Sequence, residues 1–165
     1  LEALSQPLPV KNRTMRYRYP LQRSRMLARA LARLDRESPT GRSDLDLREW
    51  LFGFEGIGMK TASWITRNHF GSDNVAILDV HVFRAGVLAQ LFDVSDSVAR
   101  HYRRLEARFL EFAKGLGVRA SILDALLWAE MRQMAPLAIE CLDTILAVPP
   151  NQCRVNRFDL GDSPG

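Results

Sequence analysis

Helical periodicity without strand periodicity predicts an all-α fold for this chain of 165 residues. Three observations carry that expectation. Apolar residues recur at helical spacing in successive segments, each opened or closed by capping residues, proline or glycine. No segment of useful length alternates apolar with polar residues, and no internal repeat appears. Between two of the helical segments stands Gly56-Ile57-Gly58, which reads as a tight hairpin joining helices.

Residues 1–18, with Pro7 and Pro9 and then mixed basic and aromatic residues, read as an extended arm. Pro20 suits a first helical turn. Leu27, Ala30, Leu31 and Leu34 then set one apolar stripe against arginines, predicting an amphipathic helix to about Arg36 that Ser38-Pro39-Thr40-Gly41 ends. Ser43 followed by Asp46 marks a helix start, and Leu45, Leu47, Trp50 and Leu51 provide apolar surface through Phe52. After the hairpin a helix is predicted from Met59 to about His69, with Gly71 as its C-cap. Val75-Ala76-Ile77-Leu78 has strand composition, yet four residues without a partner read as buried loop. Asp79 caps a helix from Val80 to about Phe92. Ser95 or Ser97 opens the next, with Val98, Tyr102, Leu105, Phe109 and Phe112 on one face and Gly115 and Gly117 closing it. Arg119 to about Met134 follows, built on Ile122, Leu123, Leu126, Leu127 and Met131. A further helix is expected beyond Pro136 through Leu146, then a loose tail from Pro149. The chain thus divides into a basic arm with an Arg-rich helix (1–42), a helix-hairpin-helix core (43–135) and a C-terminal helix with tail (136–165), within one domain.

Apolar content of 47% and charged content of 25% are ordinary for a globular protein. No apolar run approaches the ~20 residues needed to span a bilayer, and no signal peptide opens the chain. No membrane partner is therefore expected, and an intracellular location is. The net charge of +4 favours an anionic partner. Between Lys11 and Arg36 lie Arg13, Arg16, Arg18, Arg23, Arg25, Arg29 and Arg33 against one acid, Asp35. Such a block fits phosphate contacts and equally fits a solvated helix face. Only Lys11, Lys60 and Lys114 are lysines, so a sequence that prefers arginine has set a lysine in the hairpin. Two cysteines, Cys141 and Cys153, cannot supply the four thiolates of an iron–sulfur cluster or a Cys-rich zinc site.

The hairpin stretch Phe54-Glu55-Gly56-Ile57-Gly58-Met59-Lys60-Thr61-Ala62 is answered downstream by Ile77-Leu78-Asp79-Val80-His81. Its glycines supply backbone angles closed to other residues and let the backbone approach a ligand. The amides opening the second helix point outward, ready for a phosphate. This joint pattern resembles the helix-hairpin-helix DNA glycosylases, the superfamily of endonuclease III and 8-oxoguanine DNA glycosylase. There the hairpin reads Gly-Ile/Val-Gly-x-Lys, with Asp-x-His further on. Gly56, Gly58, Lys60, Asp79 and His81 match those positions one for one. The run Gly-Ile-Gly-Met-Lys-Thr-Ala-Ser-Trp-Ile-Thr-Arg-Asn, then Ala-Ile-Leu-Asp, is most similar to the 8-oxoguanine branch. Endonuclease III relatives usually carry an iron–sulfur cluster, which this chain lacks the cysteines to hold. Family members usually carry a longer segment before the matched part, so part of the N-terminal subdomain is expected to be missing.

The resemblance implies a DNA repair glycosylase with abasic-site lyase activity, excising oxidised guanine, foremost 8-oxoguanine. Its partner would be double-stranded DNA bearing a damaged base, which must leave the helix to be reached. In such a family Lys60 is the nucleophile that attacks C1′ of the deoxyribose and forms an imine. A helix N-terminus, a nearby arginine and partial burial would favour the neutral amine that this attack needs. Asp79 would stabilise positive charge on the sugar and assist proton transfers. The hairpin amides at Gly56 and Gly58 would hold a phosphate, and His81 would lie near the DNA backbone. The hairpin carbonyls are candidates for a monovalent cation; no organic cofactor or catalytic metal is implied. Trp64 follows Lys60 by one helical turn on the same face. The segment from Asp124 to Gln133 resembles the family's late helix, where an aromatic at the Trp128 position stacks on the extruded base. A glutamine at the Asp124 position meets that base's pairing edge. Aspartate stands here, a departure that leaves the exact base open, although a carboxylate suits the donors at guanine N1 and N2. Blander readings make Lys60 a surface lysine, Asp79 only a helix cap, and His81, Trp64 and Trp128 core residues. A monomer is expected, in the cytoplasm and nucleoid of a bacterium or the nucleus of a eukaryote. The alternatives are a glycosylase for another modified base and a non-enzymatic hairpin module gripping DNA. The latter needs neither Lys60 nor Asp79.

Overall fold

Caps and glycines set several helix boundaries in the computed structural model, which describes residues 6–11, 13–16, 18–39 and 41–147. The order is β1 (Leu8–Val10), β2 (Arg13–Met15), α1 (Pro20–Leu34), α2 (Asp44–Phe52), α3 (Met59–Phe70), α4 (Val80–Leu88), α5 (Val98–Gly115), α6 (Ala120–Gln133) and α7 (Ala135–Ala147). The all-α expectation holds apart from one small hairpin. The expected loose tail, with Cys153, lies outside the described residues, as do Thr40 and residues 1–5, 12 and 17 of the arm. None of the described helices is long and apolar enough to cross a membrane.

The arm is extended, as its prolines suggest, but β1 and β2 also pair antiparallel, Leu8 opposite Met15 and Val10 opposite Arg13. Lys11 makes the turn with φ 53. Strands of three residues are too short to register as alternation, so the pairing is not legible from periodicity. Helix α1 follows Pro20 as expected, but its stripe is not buried: Leu27, Leu31 and Leu34 are 50–56% exposed. It meets the hairpin through Met26 and two arginines instead. Arg33 donates to the Gly53 carbonyl at 2.7 Å and lies 4.4 Å over the Phe54 ring, and Arg29 pairs with Glu55.

Ser43 and Asp46 form a reciprocal capping box at the start of α2, the side chain of each accepting the other's amide. Helix α3 starts from Gly58 and ends at Gly71, whose φ of 63 supplies the left-handed C-cap. The main core lies where α4, α5 and α6 meet, built on Leu78, Val82, Phe92, Tyr102, Leu105 and Phe109. A second cluster of Ala85, Met131 and Ala138 packs α7 against α4 and α6.

Three helix expectations need correction. Helix α4 stops at Leu88 rather than Phe92, because the chain folds back and both Leu91 and Phe92 amides bond to the Gly86 carbonyl. Phe92 lies over Gly86, where a Cβ would meet its ring. On α5 the buried stripe runs from Phe109 to Ala113, leaving Phe112 37% exposed. Ser97 does open this helix, with a kink at His101. On α6, Ile122 and Leu126 face outward at 58% and 55% exposure, while Ala120, Asp124 and Met131 are buried.

Helix α6 has no side-chain cap of its own. Asp73, in the loop after α3, supplies one from across the fold. Its Oδ1 accepts from the Ser121 amide at 3.0 Å and its Oδ2 from Arg119 Nε at 2.6 Å. That loop is tied to α2 as well, since Ser72 and Asn74 both donate to Asp44.

Candidate active site

Val75-Ala76-Ile77-Leu78 is buried loop, as composition and length suggest, with Val75, Ala76 and Leu78 at 0% exposure. A buried backbone without a partner strand must find other hydrogen bonds. Side chains from three helices provide them. Arg67 of α3 donates to the Val75 carbonyl at 2.7 Å. The Ala76 amide donates to Glu106 Oε1 of α5 at 3.0 Å, and Glu106 is itself paired with the buried Arg48. The Ile77 amide donates to Asp124 Oδ2 of α6 at 2.8 Å. Tyr102 of α5 donates its hydroxyl to the Ala76 carbonyl at 2.7 Å and accepts from the Leu78 amide at 3.3 Å. Burial pushes the Tyr102 hydroxyl up to about 12, so it is a neutral donor throughout the physiological range.

This segment delivers the chain to Asp79, which caps α4 as expected. Its Oδ1 accepts from the His81 amide at 2.8 Å and the Val82 amide at 2.9 Å. Oδ2 has no hydrogen-bond partner among the described residues. The hairpin precedes it in sequence. Gly56 has φ +85, and a Cβ there would stand 2.7 Å from Met26 Sδ, so both backbone and space require glycine. Gly58 corrects the expectation of two specially bent glycines. Its φ of −85 and ψ of 170 are open to any residue, and a Cβ would meet nothing within 4 Å.

Lys60, in the first turn of α3, is exposed, so the partial burial expected for it is absent from the chain alone. It opens onto a cavity of about 630 Å³ between α3 and α6. Helix α3 contributes Lys60, Trp64, Arg67 and Asn68, and α6 contributes Ser121, Asp124, Ala125 and Trp128; Ile77 and Asp79 form the remaining wall. Lys60, Asp79, Trp64, Asp124 and Trp128 therefore share one cavity. Trp64 and Trp128 are 55% and 42% exposed, which removes the core-filling reading for both. Arg132 lies over the Trp128 ring at 5.1 Å.

Asp124 differs from the free carboxylate expected of it. It is 3% exposed, and Oδ1 accepts from Arg67 at 2.6 Å while Oδ2 takes the Ile77 amide. Burial raises its carboxyl above the ordinary range, outweighing Arg67 and the Ile77 amide, which pull it down; the charge of Asp79 adds to the rise. His81 does not line the cavity; its Nδ1 is buried without a partner among the described residues. Arg67 and Asn68 were missed in the sequence, although they follow Lys60 and Trp64 at helical spacing on the same face. Among the described residues, no group of three or more His, Cys, Asp or Glu side chains could hold a metal ion.

The family model described as 8-oxoguanine DNA glycosylase matches residues 4–118, a span containing Lys60 and Asp79 but ending before α6. An 8-oxoguanine DNA glycosylase/AP lyase of Metallosphaera sedula is 30% identical over 116 residues, covering 68% of this chain and 57% of its own length. One from Saccharolobus islandicus is 34% identical over 96 residues, covering 55% and 45%. The chain thus spans about half the length of these curated relatives. The solved 8-oxoguanine DNA glycosylase of Thermotoga maritima superposes with a TM-score of 0.55 at 28% identity, covering 68% of this chain and 55% of the other. With the hairpin, the lysine in the turn after it and the capping aspartate all inside the matched span, the chain belongs to the helix-hairpin-helix family of 8-oxoguanine DNA glycosylases.

Proposed function

We propose that the chain is a bifunctional DNA glycosylase and abasic-site lyase that removes 8-oxoguanine from double-stranded DNA. The observation that carries this reading is the shared cavity, in which Lys60 and Asp79 meet two exposed tryptophans. The extruded base enters between Trp64 and Trp128, which offer the flat apolar faces that stacking needs. Bound DNA covers Lys60, which the chain alone leaves exposed, and brings its amine to the sugar. That amine attacks C1′ while the C1′–N9 bond breaks, its electron pair leaving with the base, which takes a proton. Asp79, pinned through Oδ1, turns Oδ2 towards the cationic sugar and relays protons as the ring opens to the imine. β-Elimination from the imine then expels the 3′ phosphate and cuts the strand. A phosphate of the same strand sits on the amides at Gly58, where the open space beside the backbone lets it approach.

Borohydride trapping on 8-oxoguanine DNA tests this directly. Wild type yields a covalent protein–DNA adduct, and Lys60→Gln yields none while still binding the duplex. Undiminished trapping with Lys60→Gln removes that residue from the mechanism. No base release from any modified duplex by wild type leaves a DNA-gripping hairpin module instead.

A further inference from the structure

Asp124 occupies the position from which the sequence suggested it reads the base, yet the protein has already engaged both of its oxygens. The carboxylate bridges Arg67, at 2.6 Å, and the Ile77 amide, at 2.8 Å. Arg67 returns to the same segment through the Val75 carbonyl, at 2.7 Å. A ring of three hydrogen bonds therefore spans residues 75–77 and ties them to α3 and α6. One residue on, Leu78 is fully buried and its amide is held by Tyr102. The next residue is Asp79, whose Oδ1 is fixed by two α4 amides. The chain has no slack between the ring and the cap.

We propose that Asp124 is a positioning residue for Asp79, its carboxylate bound to the protein's own backbone rather than to the edge of a base. The role rests on the glycosylase reading, because it is the excision step that needs Asp79 in place. Asparagine fits the space of Asp124 but has one acceptor where aspartate has two. It therefore satisfies either Arg67 or Ile77 and leaves the other donor buried without a partner. Tyr102→Phe loosens the same segment from the core side, away from the cavity wall.

The test combines single-turnover excision with backbone amide exchange on Asp124→Asn and Tyr102→Phe. Both variants should excise 8-oxoguanine more slowly at saturating protein, by about 10- to 100-fold, the scale of a misplaced catalytic group. Affinity for abasic DNA and the ratio of rates among different released bases should stay at wild-type values. Exchange at the Ile77 and Leu78 amides should accelerate in both, with Leu105 and Phe109 still protected as evidence of an intact core. A shift of more than tenfold in base preference for Asp124→Asn alone overturns the proposal and restores a base-reading carboxylate. Unchanged exchange at Ile77 overturns it too. If wild type excises no base, the glycosylase reading falls, and amide exchange alone decides whether Asp124 holds the segment.

Discussion

The two oxygens of Asp79 are engaged differently. Oδ1 satisfies the first turn of α4, and Oδ2 has no protein partner among the described residues. Asparagine also caps helices well. Asp79→Asn should therefore melt within a few degrees of wild type while single-turnover excision falls by about 10²-fold or more, the loss expected for one preorganised charge. Unchanged excision would make the residue a cap alone. Trp128→Ala should lower excision of every accepted base by the loss of stacking worth about 1–3 kcal/mol, with lyase activity on abasic DNA retained. Equal loss on both substrates would assign Trp128 to the fold. At this scale the sequence was legible for which side chains meet in one cavity, Lys60, Asp79, Trp64 and Trp128, because identity and spacing coincide there. It was least informative for Asp124, whose partners lie 57 and 47 positions away and leave no local pattern.

Elements are punctuated by local chemistry wherever that chemistry is contiguous. The capping box at Ser43, the C-cap at Gly71 and the cap at Asp79 were legible because cap and helix adjoin. The start of α6 was not, since its cap is Asp73, 48 positions before Ser121. Burial alone would raise the Asp73 carboxyl, but Ser121 and Arg119 hold it at about 2, below its ordinary 3.8. A folded-state value below the unfolded one means that the contact stabilises the fold above the unfolded value and is lost as pH falls towards 2. Asp73→Asn should flatten the fall in melting temperature between about pH 4 and 2. The hairpin offers a second test. Gly56→Ala meets both a disfavoured φ and Met26, so it should destabilise by more than ~1 kcal/mol, where the same change at a compatible glycine would stabilise slightly. Adding Met26→Ala should restore only the steric share; full recovery of the melting temperature would mean that φ +85 is not a constraint.

Across the whole molecule, helical periodicity gave the fold class and the order of the helices, because amphipathic stripes record burial directly. It misjudged which side of α1 and α6 is covered, because a stripe says that a face is apolar and not that a neighbour exists. The basic arm is the larger-scale feature with a functional reading. Among the described residues Arg13, Arg16, Arg18, Arg23 and Arg25 are exposed and outside every ion pair. Replacing Arg23 and Arg25 by alanine should weaken binding to damaged and undamaged duplex alike and lower the salt slope by about one per lost phosphate contact. An unchanged slope would make this block a solvated face.

The way Val75–Leu78 is held also sets when it can become ordered. Its three amides at Ala76, Ile77 and Leu78 wait for partners 30, 47 and 24 positions further along the chain. Closing loops of that length costs entropy before any contact returns it, whereas the capping box and hairpin close within a few residues. The α2–α3 hairpin is therefore expected early in the folding reaction and the segment before Asp79 late. Glu106→Gln, which leaves one acceptor for the Ala76 amide and the buried Arg48 together, should raise the unfolding rate with little change in refolding. The segment that places Asp79 should then be among the last parts to form and the first to loosen.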